Sequence, residues 1–191
     1  MAREQVKRKP GAKEAVPLSL EGGVLMRDDG RVIDDDPWTF LADGEDGPEI
    51  GDFVLPLHRF LAEREALLTR KNGRLGVLIG SADQIEDIAQ DIGRFALIAV
   101  AFPTFRDGRG FTTARLARER YGFAGDLRAV GDVLPDLVFY MLRCGFTSFT
   151  LRSPHPEADF AEAARVFSIS YQGASDGRLP VHRLRAQKGG A

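Results

Sequence analysis

One stretch limits the fold more than any other: Phe95 to Leu151, FALIAVAFPTFRDGRGFTTARLARERYGFAGDLRAVGDVLPDLVFYMLRCGFTSFTL. Its apolar run, Ala96 to Phe102, is the most apolar in the chain and reads as a strand placed centrally in a sheet. A Gly/Arg/Asp loop (Arg106 to Gly110) follows, then a helical pattern and a short strand (Leu127 to Val130). A second helix and a further strand (Phe146 to Leu151) complete the stretch. Strand–loop–helix repeated in this way is the pattern of a parallel sheet with crossover helices. The short apolar run Leu75 to Ile79 adds a strand before it. The expected fold is α/β: a mostly parallel sheet of about four to five strands built from consecutive βα units, either partial-barrel-like or doubly wound. At 191 residues the chain is too short for eight such units.

The flanks organise the rest. Residues 1–20 are basic and punctuated by Pro and Gly, and read as a flexible tail. Residues 21–172 read as a single α/β domain, with 21–54 a hairpin extension and 55–172 the βα core; 173–191 is a polar, basic C-terminal arm. The N-terminal β-hairpin is expected where Asp28-Asp29-Gly30 separates Val24-Leu25-Met26 from Arg31-Val32-Ile33, with Trp38, Phe40 and Leu41 packing it on the body. Asp34-Asp35-Asp36 reads as a solvated acidic turn, because three consecutive carboxylates cannot all face one ion without special backbone geometry. Pro56 to Leu68 has helical spacing, with Pro56 in the first turn. Ser81 and Gln84 have capping-box spacing for a helix with Ile85, Ile88, Ala89 and Ile92 on one face. Thr112 or Thr113 is the expected cap of the next helix and Asp132 that of the one after. Glu157 to Phe167 is helical in pattern, and Val166 to Tyr171 reads alternatively as a short strand.

Composition removes several function classes. A formal net charge of −2 gives nucleic-acid binding no overall electrostatic support. The single cysteine, Cys144, cannot form an intrachain disulfide, a cysteine-based zinc site or an iron–sulfur cluster held by this chain alone. Beside Arg143 at a helix C-terminus it reads as a buried structural residue. His58, His155 and His182 lie far apart, without ligand spacing, so no metal site is expected. No run approaches the roughly 20 apolar residues that span a bilayer. No apolar segment follows the basic N-terminus, so a cytoplasmic location is the default.

Chemistry in parallel α/β folds gathers where strands end at their C-termini. Four loops leave such ends: Gly80–Asp83, Pro103–Thr112, Gly131–Asp132 and Arg152–His155. The second is the richest. Arg106, Asp107, Gly108, Arg109 and Gly110 combine cations, an acid and two glycines before a helix. They form either an anion cradle or a tight Asp-Gly turn with a surface ion pair. The loop is neither a P-loop nor a dinucleotide fingerprint, so no strong nucleotide-binding motif is present. Arg128 falls inside a short strand and needs a carboxylate if buried; Asp132 or Asp107 is the expected partner, unless the arginine contacts a ligand.

Phe102-Pro103, Arg106 to Gly110, Ala114-Arg115-Leu116, Leu127 to Leu134 and Arg143 to Phe146 together resemble a bacterial family of uncharacterised proteins. Its members are labelled "oxidoreductase probably involved in sulfite reduction" and are encoded beside assimilatory sulfite reductase. Tyr171-Gln172 is similar to the family's C-terminal signature, whereas Thr147 stands where the family usually has an acid. The resemblance implies a pathway, assimilatory sulfite reduction, and brings no catalytic residues. It allows two readings. One is an accessory that binds sulfite reductase or a relay protein through its acidic N-terminal half or basic tails, with no sirohaem or iron–sulfur centre of its own. The other is a small enzyme that takes an anionic sulfur-assimilation intermediate or phosphorylated ligand at Arg106, Asp107, Arg109, Arg128 and Asp132. The enzyme requires these groups to converge on one cleft; the accessory requires them paired off, with an apolar patch exposed elsewhere. A homodimer would cover the edges of so small a sheet.

Overall fold

The structure is a computed structural model that describes residues 23–189, with side chains to residue 187. The tail expected over 1–20 lies outside the described residues. Seven strands form one sheet: β1 (Val24–Arg27), β2 (Trp38–Phe40), β3 (Asp52–Pro56), β4 (Leu75–Ile79), β5 (Phe95–Phe102), β6 (Asp126–Val133) and β7 (Ser148–Leu151). Their order is β1-β7-β6-β5-β4-β3-β2. From β2 to β7 every pairing is parallel and sequential; β1 is antiparallel to β7. The sheet is thus mostly parallel, as the βα pattern predicts, but has more strands than expected.

The additional strands lie in the N-terminal region read as a hairpin. The Asp28–Gly30 turn does form, with the Gly30 N–H donating to the Arg27 carbonyl at 2.9 Å. Its second arm adds only an isolated bridge, Val32 to Met26, while the strand partner of β1 is β7. Trp38 and Phe40 belong to β2 at the opposite edge of the sheet rather than to a hairpin.

The path between these two edges shows why the sheet curls. Ile33 is still hydrogen-bonded to Leu25 of β1, and five residues later Trp38 begins β2. Laid flat, six strand spacings would separate the edges by about 29 Å. Five residues reach at most about 18 Å. The strap over 33–38 can be this short only because the sheet bends into a half-barrel.

Residues on alternate positions serve two cores. Val100, Phe102, Ala129 and Phe149 face the helix layer, where they meet Ala114, Val138, Met141 and Phe160. Those helices are α1 (Leu57–Thr69), α2 (Arg109–Arg115), α3 (Pro135–Arg143) and α4 (Pro156–Ala164). The helix-free face carries Val54, Leu78, Leu97, Ala99, Ala101 and Val130, with Trp38 and Phe40 against them. Trp38 and Val130, four strands apart in the order, share this second core. That is a further consequence of the curl.

Several local expectations change. The β4–β5 connection has two 3-10 turns, Ile85–Ile88 and Ile92–Arg94, in place of a helix. β-Branched and Asp residues favour helix weakly here, and the first of these turns has Gln84 at its N-cap position with no side-chain cap. α2 begins at Arg109, before either threonine, and runs on through a π turn at Leu116–Arg120. α3 has Leu134 at its N-cap position and no side-chain cap. α1 starts at Leu57, because Pro56 ends β3. Val166 to Tyr171 is irregular, and the expected arm includes a helix, α5 (Val181–Gly189).

Candidate functional site

The four loops at the C-terminal ends of the strands are linked side by side. Arg109 grips Asp107 with two guanidinium nitrogens, at 2.9 and 2.6 Å, and also donates to the Ser81 hydroxyl at 3.1 Å. The Phe105 N–H donates to one oxygen of Asp132 at 2.9 Å, and Arg152 donates to the other at 2.7 Å. Loops after β4, β5 and β7 and the end of β6 therefore form one rim. The Arg106–Gly110 turn and the Gly131–Asp132 turn share it, as the parallel topology requires.

Asp132 reaches the rim because β6 bulges. Between Ala129 and Val133 the register with β7 shifts, and Gly131 adopts φ +98°. A Cβ at Gly131 would lie 2.4 Å from the Phe102 carbonyl oxygen, so only glycine allows the strand to pass. Asp132 is thus a tie between loops, not the helix cap expected of it. Gly108 sits at the N-cap position of α2 and Gly110 is buried in its first turn, packed close to Phe102.

Arg109 and Arg152 on the rim are satisfied internally, each by a carboxylate. The guanidinium of Arg109 holds the Asp107 carboxyl at about 2, well below its ordinary value. Arg106 lies over the Phe105 ring, 5.3 Å from its centroid. Phe105 itself is 42% exposed.

Arg128 does not join this group. It lies four residues before Asp132, near the start of β6, on the helix-free face, and only 3% of it is exposed. Its partners are neither Asp132 nor Asp107. Nη1 donates to Asp36 at 2.6 Å, Nη2 to Asp36 and Asp126 at 3.2 and 3.3 Å, and Nε to Ser148 at 3.2 Å. Asp126 in turn accepts from Thr147 and Ser148. Asp36 is therefore not part of a solvated acidic turn; it pins the strap to the middle of the sheet. Burial forces this pairing, since an unpaired guanidinium there would be costly.

Sequence reasoning also passed over Arg143 and Arg118. Arg143, 8% exposed at the end of α3, donates twice to Asp176, at 3.0 and 2.9 Å, and to the Gln172 carbonyl. It ties the segment after Tyr171 to the body. Arg118, in the π turn, donates to three backbone carbonyls. Neither carries a local sequence signal beyond an arginine near a glycine. Cys144 beside Arg143 is 1% exposed, and burial pushes its thiol up to about 11, which makes it inert at neutral pH.

Apolar surface concentrates elsewhere. Val166, Phe167, Ile169 and Tyr171 are each more than half exposed. Phe167 meets Phe139 of α3 edge-on at 5.1 Å, and the neighbouring Tyr140, also more than half exposed, meets Phe111 at 4.7 Å. Among the described residues no group of three His, Cys, Asp or Glu could hold a metal ion, and no helix is long and apolar enough to cross a membrane.

No curated protein matches the chain. A family model matches residues 76–182, a span that takes in the rim and the exposed apolar segment but not the strap. The chain belongs to that family, bacterial proteins of unknown function (DUF934).

Proposed function

We propose that this chain is a non-catalytic accessory of assimilatory sulfite reduction that docks onto sulfite reductase through the surface around Phe167. The observation that carries the reading is a division of labour between two surfaces. On the rim Arg109 and Arg152 are each matched to a carboxylate, while Val166, Phe167, Ile169 and Tyr171 lie exposed, with Phe167 against Phe139. Aromatic and aliphatic groups left in water on one face are what protein interfaces use as anchors. The pathway rests on the family resemblance set out above.

The test is a binding titration between this chain and assimilatory sulfite reductase from the same bacterium, both purified. A saturable complex is expected, weakened about tenfold or more by Phe167→Glu and Tyr171→Glu, with circular dichroism unchanged. A complex indifferent to both changes, or none at micromolar concentration, would sink the reading.

One observation keeps the enzyme reading in view. Arg106 has no carboxylate partner among the described residues and shares the rim with Asp107, Gly108, Arg109, Gly110 and Asp132. In that reading an anionic intermediate or phosphorylated ligand takes Arg106 and displaces Asp107 from Arg109. Thermal stabilisation by sulfite, sulfate, a flavin or a pyridine nucleotide, lost in Arg109→Ala, would favour it.

A further inference from the structure

At the opposite ends of the strands from the rim lies a depression of about 480 Å³, within the range of small-ligand sites. Arg118 is one of its walls. The side chain is half-buried, and its Nε donates to the Gly145 carbonyl at 2.9 Å. Nη1 donates to the carbonyls of Phe123 and Gly125 at 2.6 and 2.9 Å. A guanidinium has five N–H donors. Three are held here by neutral oxygens, and the two on Nη2 have no partner among the described residues. Unlike Arg128 and Arg143, this arginine has no carboxylate within ion-pair distance among the described residues. Burial lowers its pKa, opposed only by the field of Asp126 and Asp28. Its stem packs over Gly145, where a Cβ would lie 2.7 Å from Arg118 Cγ and φ is +90°. The fork is therefore rigid, charged and half unused.

The rest of the wall narrows the ligand. Leu142 and Ala164 supply apolar surface, and Arg178, 3.5 Å from Asp176, a second cation. Asp28 and Asp176 also line the depression and would repel a polyanion. We infer that this depression binds a small organic monoanion, with its carboxylate or sulfonate on Arg118 and a short apolar body against Leu142 and Ala164. The inference is independent of docking at Phe167.

Butyrate, propane-1-sulfonate and inorganic sulfate are the probes, titrated into the full chain and followed by amide NMR. Saturable shifts at Gly145, Thr147 and Ser175 are expected with at least one organic anion, at millimolar Kd or better. Which of the two binds identifies the head group, and sulfate should bind at least about tenfold more weakly. Arg118→Lys keeps the charge but loses the fork, and should weaken binding at least about tenfold. Where that variant loses its native spectrum, Ala124→Trp serves instead: it fills the exposed lip of the depression with Arg118 intact, and should abolish binding. The inference is overturned if neither organic anion gives saturable shifts at these amides, if sulfate binds as well, or if the informative variant binds like the parent.

Discussion

At the C-terminal rim, Arg109 and Arg152 lie largely in water beside Asp107 and Asp132. Four residues back along β6, Arg128 reaches Asp36 and Asp126 with only 3% of its side chain exposed. The contacts are chemically alike, yet their physical meaning differs. Exposed pairs exchange one set of water contacts for another and stabilise little. A buried arginine has already lost its water, so each partner it keeps prevents a large penalty. The rim is a surface whose loops are laced together; the strap contact holds the half-barrel closed.

The largest effect should come from the buried side. Arg128→Ala leaves Asp36 and Asp126 facing each other without a cation. Breaking such a pair from one side costs about 3–5 kcal/mol. Urea unfolding should show this as a lower midpoint, with hydrogen exchange accelerated first over residues 33–38. Arg109→Ala, which removes an exposed pair, should lower the midpoint far less. Equal losses in the two variants would erase the distinction drawn here.

Arg143 sharpens the comparison with an intermediate case. It is nearly as buried as Arg128 but holds a local segment rather than the two edges of the sheet. Arg143→Ala should cost about 1–3 kcal/mol, the penalty of orphaned buried hydrogen-bonding groups. It should free the amides of residues 172–178 to exchange while β4 to β7 stay protected. Global unfolding in place of local opening would show that the C-terminal segment is part of the main core.

The same contrast explains what could be read from residues alone. The strands β4 and β5 were legible because LGVLI and FALIAVAF are continuous apolar runs, as sheets covered on both faces demand. The shared rim was legible too, since parallel strands deliver their C-terminal loops to one end. β2, only three residues long, and β3 carry no comparable run and sit next to acidic, Gly-rich segments. The partner of Arg128 was not legible, because Asp36 lies 92 residues away and any nearer acid was as good a guess. Local chemistry predicts Asp107 for Arg109, two residues apart; only the curl of the sheet brings Asp36 to Arg128.

The smallest effect tests the rim itself. Arg109 is the main cause of the low Asp107 pKa, about 2 against an ordinary 3.8. A depressed carboxyl stabilises the fold above its ordinary pKa, and the contribution fades as pH falls from about 4 towards 2. NMR titration of the Asp107 carboxyl should therefore give a midpoint near 2 in the parent chain. In Arg109→Gln the midpoint should rise from there, because the contact that lowers it most is lost. The same titration separates the two functional readings. An anion that took Arg109 would release Asp107, so added sulfate would lift the midpoint as the variant does. A midpoint that ignores sulfate at constant ionic strength means that the pair stays closed, as an accessory's surface would keep it.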